Sequence, residues 1–181
     1  MSGFGSIFWG FLFMFDFRIQ GVDILPNFVG YLLMYSGLGS LASYSSEFGN
    51  AKKWSIPLAV LSLFSLYQVQ NTVGQVTINP LSLGFYAVGI ITMVLDLLLV
   101  YHLCRGIIDL AKDQSNHTLQ ELAHQRWKYY LYYKVIFTIW FPLCLIAPFL
   151  LAIGFIPIFI LSIVVLVLMM ALMKKAQDTF E

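Results

Sequence analysis

Asp96 is the residue in this chain best placed to do chemistry. It lies in 89-GIITMVLDLLLVYHLCRG-106, fourteen residues after Ser82 and nine before Arg105. Along a helix those intervals are about 21 Å and 14 Å, which puts its carboxyl near the middle of an apolar run. A charge at the centre of a bilayer costs about 2.5–3.5 kcal/mol on insertion scales, so it must face other protein or a wet cavity. Two readings follow. Asp96 makes a structural bond between helices, or it carries a proton or cation. Burial alone would favour its neutral form. Lys134 lies about five residues inside a later apolar run, about 7 Å deep; it could reach Asp96 as a counter-charge, although snorkelling toward the cytoplasm is its easier course. The hydroxyls of Tyr132 and Tyr133 are equally reasonable donors. No second buried acid is present to complete a proton relay.

A second group of charges falls in 16-DFRIQGVDILPNFVGYLL-33, between two apolar runs. Asp16, Arg18 and Asp23 read as an anchoring turn, with Asp23 as a helix N-cap and Pro26 in the first helical turn. A ligand site at an outer mouth, formed by these residues and Asn27, is the competing reading. The stretch 126-RWKYYLYYK-134 reads as a basic aromatic girdle. In it Arg126, Trp127 and Lys128 would meet lipid headgroups without specificity. Just upstream, Thr118 and Glu121 fit a capping box that starts an amphipathic cytoplasmic helix over residues 118–128.

Other chemistry finds little support. His102, His117 and His124, with Asp109, Asp113 and Glu121, match no metal-ligand spacing and read as solvated loop residues; no metal or cofactor is expected. The glycines of YSGLGS follow no strand, and there is no phosphate-loop, dinucleotide or serine-nucleophile motif. Cys104 and Cys144 both fall in apolar runs and read as small fillers. Asn116-His117-Thr118 fits a glycosylation sequon, discounted because the loop is read as cytoplasmic.

What positions these residues follows from composition. The 181-residue chain is 60% hydrophobic and 10% charged, with a mean hydropathy of +0.82. Soluble domains carry about a quarter charged residues, so the pattern points to one all-α domain, an integral membrane helical bundle. Five long transmembrane helices are expected at residues 24–43, 54–73, 82–105, 129–152 and 155–173. Residues 3–15 form a shorter apolar helix, for which crossing is favoured over lying in the interface. This first run has no preceding Lys or Arg and no small-residue cleavage site, so it reads as retained. Nine of the ten Lys and Arg residues would fall on one side: Lys52, Lys53, Arg105, Lys112, Arg126, Lys128, Lys134, Lys174 and Lys175. The connections at 74–81 and 153–154 carry none. Basic residues mark the cytoplasmic side, which places the C-terminus inside. A net charge of +1 offers no surface for nucleic acid. Gly30, Ser36, Gly37, Gly39 and Ser40 gather on the first long span, where small side chains allow close helix approach. Pro142 and Pro148 should kink the fourth.

From Asp23 through Ile24, Leu25, Pro26, Asn27, Phe28, Val29 and Gly30 to Tyr31, the chain resembles a group of small multispanning membrane proteins of Gram-positive bacteria. Their N-terminal signature reads Asp, Ile or Leu, Leu, Pro, Asp or Asn, Phe, Ile or Val, Gly, Tyr. Asn27 stands where Asp is often found, which weakens an acid role there. The match covers about the first quarter of the chain. The resemblance implies a plasma-membrane protein and supplies no mechanism. The favoured function is a non-enzymatic accessory, sensor or assembly factor. It would partner the lipid bilayer and a membrane protein or a second copy of itself. The alternatives are a small transporter or channel using Asp96 and, third, a membrane-embedded enzyme.

Overall fold

A computed structural model describes residues 3–14, 18–19, 22–23, 27–66, 80–147 and 149–180. Six helices carry the fold: α1 (Gly3–Phe13), α2 (Asn27–Leu41), α3 (Ser46–Leu66), α4 (Pro80–Asp113), α5 (His117–Ile146) and α6 (Phe149–Phe180). Between α1 and α2 lies an antiparallel pair of two-residue strands, β1 (Arg18–Ile19) and β2 (Val22–Asp23).

Each helix packs mainly on its neighbours in the chain, and α1 closes the ring against α6. On α1, Phe4, Ile7 and Phe11 are buried at three- and four-residue spacing, one stripe of a 3.6-residue repeat. Phe4 meets Phe48 of α3 edge-on at 6.1 Å and stacks on Phe180 of α6 at 6.0 Å. Glycines let α1 and α2 touch backbone to backbone. A Cβ at Gly37 would lie 2.5 Å from the Gly3 carbonyl oxygen, and one at Gly30 would lie 2.7 Å from that of Gly10. Both glycine pairs repeat at seven residues, two helical turns, so they meet along one antiparallel seam.

The helices differ in length, and this decides what is covered. At about 1.5 Å per residue, α1 and α2 reach about 16 Å and 22 Å, whereas α4, α5 and α6 reach about 51, 45 and 48 Å. The shared core therefore gathers at one end. It takes Leu99, Leu103 and Ile107 from α4, Leu119 and Ala123 from α5, and Met169, Leu172 and Met173 from α6. The opposite halves are apolar yet exposed, as at Ile90, Ile91, Ile136, Ile139, Phe155 and Ile160.

Several expectations are corrected. The described residues are almost wholly helical, but they do not give five long transmembrane helices. Among the described residues only two stretches are long and apolar enough to cross a membrane, Ala87–Asp113 in α4 and Ile153–Phe180 in α6. The run at 24–43 gives a helix of 15 residues, and α3 begins with Glu47, Lys52 and Lys53 inside it. In α5, Glu121, Arg126, Lys128 and Lys134 break the apolar sequence. The run at 3–15 forms an 11-residue helix, too short for a bilayer core of about 30 Å.

The boundary between the last two helices also moves. It falls at Ala147, whose φ of −132° and ψ of 85° are extended. A residue preceding proline is pushed out of helical geometry, so Pro148 stops α5 where a kink was expected. Residues 153–154, read as a connection, lie inside α6, which also runs through Pro157. The helix expected at 118–128 is continuous with α5. Its N-cap is Asn116, whose side-chain oxygen accepts from the Leu119 N–H at 3.1 Å. Glu121 instead accepts from Gln125 at 3.2 Å, so the Thr118–Glu121 capping box does not form. The uncharged connection at 74–81 lies outside the described residues but for its last two positions, which open α4.

Candidate functional site

Asp96 sits on α4 just where the buried part of that helix begins, and it is 1% exposed. Three donors converge on it. The Tyr130 hydroxyl donates to Oδ2 at 2.5 Å, and the Lys134 ammonium lies 2.7 Å from the same oxygen. Tyr31 donates to Oδ1 at 3.5 Å, the outer limit for such a bond. Lys134 Nζ also stands 5.2 Å from the centre of the Tyr130 ring, within cation–π range. Tyr130 and Lys134 are four residues apart on α5 and so share a face. Tyr31 arrives from α2, across the ring. Charge-assisted bonds of this kind are roughly twice as strong as neutral ones, and both carboxylate oxygens are engaged. The arrangement bolts α2, α4 and α5 together at one depth.

Of the partners expected from sequence, Lys134 is brought against Asp96. Tyr132 is 58% exposed, and Tyr133 packs beside Phe137 with ring centres 6.2 Å apart. Tyr130 and Tyr31 also reach the carboxylate. Tyr130 had a signal, its four-residue offset from Lys134. Tyr31 had none beyond its place next to a close-packing glycine.

Arg18 and Asp23 face each other as register partners across β1 and β2. Asp23 therefore lies in a strand and does not cap α2, which opens at Asn27. Asp16 lies outside the described residues.

A second polar cluster ties α3 to α4 at the core end. The His102 ring Nδ1 lies 2.6 Å from a Glu47 carboxylate oxygen, both side chains about a fifth exposed. Ser45 accepts from the Glu47 backbone N–H at 3.2 Å, capping α3, and donates to Asp109 at 3.3 Å. His102 is thus a helix residue with a partner, contrary to its reading as a solvated loop histidine. Among the described residues no group of three or more His, Cys, Asp or Glu could hold a metal ion.

Between α4 and α5 lies a cavity of about 280 Å³. Tyr101, Cys104, Arg105, Ile108 and Lys112 line it from one face of α4, and His124 and Trp127 from α5. The Trp127 indole meets Tyr101 at 5.3 Å between ring centres and turns into this groove. Arg126 lies over the Tyr129 ring at 5.9 Å, while Lys128 is exposed.

No protein-family model, curated protein or solved structure matches the chain. The class these features define is therefore the coarse one that the helices themselves state. It is a helical chain in which, among the described residues, two segments are apolar and long enough for a membrane.

Proposed function

We propose that this is a non-enzymatic integral membrane protein acting as an accessory, sensor or assembly factor. Membrane insertion is supported by where apolar residues lie. A helix that is apolar all round must be buried in protein or in lipid. In the most apolar 18-residue stretches of α4 and α6 only 28% and 17% of residues are buried inside the molecule, which leaves lipid as the partner for the rest. The charged ends of α3 to α6 gather at the core end, which supports a plasma-membrane protein with that end and the C-terminus cytoplasmic. The resemblance of residues 23–31 to the Gram-positive group is in keeping with this assignment.

One observation carries the choice of function. The mid-helix carboxylate of Asp96 is shut inside the bundle and held by Lys134, Tyr130 and Tyr31. A transported ion would have to displace a counter-charge and two phenols. The group is better suited to fixing helix positions than to cycling between solvents. Reconstitution into liposomes with an internal pH or cation reporter tests this. No flux above protein-free vesicles is expected from the parent. A flux that Asp96→Asn abolishes would replace this reading with transport.

A further inference from the structure

We infer that the α4–α5 cavity is a binding site for the headgroup of an anionic phospholipid. Its cationic residues are arranged by helix geometry. Arg105 and Lys112 are seven residues apart, two turns on the same face of α4, and His124 faces them from α5. All three are exposed, none makes an ion pair, and no carboxylate lines the cavity among the described residues. The Arg105 guanidinium lies 5.7 Å from the Tyr101 ring centre, which holds it over the groove. Nearby acids are engaged elsewhere, Glu47 with His102 and Asp109 with Ser45.

The floor is apolar, formed by Ile108, Cys104 and the Tyr101–Trp127 pair. A cationic rim over an apolar floor fits an amphipathic anion, with phosphate oxygens at the rim and the glycerol end below. The volume is at the small end for ligand sites and suits one headgroup. The groove continues the same helix whose outer half exposes Ile90, Ile91 and Val94, which puts it at the edge of the apolar belt. This assignment rests on the membrane reading above and adds a specific lipid position to it.

The test uses the full chain purified in neutral detergent. Phosphatidylglycerol and phosphatidylcholine of matched acyl chains are added, and retained lipid is counted by native mass spectrometry. The variant Arg105→Gln/Lys112→Gln is compared with Lys52→Gln/Lys53→Gln, which loses the same charge at the start of α3. Each cation near an anionic lipid contributes about fivefold in affinity, so the α4 variant should lose on the order of 25-fold for phosphatidylglycerol. The α3 variant should retain it, and phosphatidylcholine should bind weakly throughout.

Equal loss in both variants, or no preference between the two lipids in the parent, would overturn the site while leaving membrane insertion standing. Stabilisation by inorganic phosphate as large as that by phosphatidylglycerol would overturn the lipid assignment. If circular dichroism shows the α4 variant unfolded, Arg105→Gln and Lys112→Gln replace it singly, each with about fivefold loss expected.

Discussion

Removing Lys134 should harm this protein more than neutralising Asp96, although the two belong to one ion pair. The side chain of Asp96 is 2% exposed and that of Lys134 is 24% exposed. In Lys134→Met the carboxylate stays buried and keeps only phenol donors. Breaking a buried pair this way costs about 3–5 kcal/mol, because a charge is left without its partner. In Asp96→Asn the orphaned ammonium has a long stem and a path to the surface, so it can swing toward solvent. The amide still accepts from Tyr130. The loss should then be about 1–3 kcal/mol, the range for weakening a buried hydrogen bond. The double variant should cost less than the sum of the two, with a coupling energy of at least about 1 kcal/mol. Equilibrium unfolding in mixed micelles, followed by far-ultraviolet circular dichroism, measures all three. Equal losses in the two single variants, or additivity in the double, would refute the claim that a buried carboxylate depends on Lys134.

Two further perturbations probe the frame that holds this pair. Gly37→Ala should cost about 1–3 kcal/mol, because the new methyl meets the Gly3 carbonyl oxygen and backbone cannot rotate away; Gly49→Ala, with nothing within 4 Å, should instead stabilise α3 by about 0.5–1 kcal/mol in the same unfolding assay. Asn116→Ala removes the cap on α5 and should cost about 0.5–2 kcal/mol, whereas Thr118→Ala should change stability by less; the reverse order would restore the capping box to Thr118.

Much of the site was legible one helix at a time. The depth of Asp96 follows from counting residues to the ends of its apolar run. Lys134 was the plausible counter-charge because it sits inside an apolar run of its own. What could not be counted was which tyrosine turns inward. Tyr132 is two residues from Lys134, a step that rotates a side chain to another face, and it is exposed. Tyr130, a full turn away, shares its face. The expected spans failed for a related reason. Hydropathy marks apolar residues without distinguishing a helix that crosses lipid from a short one covered by neighbours, as α1 and α2 are.

The amino-acid sequence by itself determined a helical, lipid-compatible chain with few charges and one acid stranded among Leu and Val. These properties depend on composition and on spacing within a single helix, and local physics suffices to read them. Tertiary structure alone decided that α1 closes a ring on α6, that glycine pairs set the α1–α2 seam, and that Tyr31 meets Asp96 across 65 residues of chain. Those contacts depend on helix lengths and registers relative to one another. No single segment encodes them, because each is fixed only when another segment fills the space beside it.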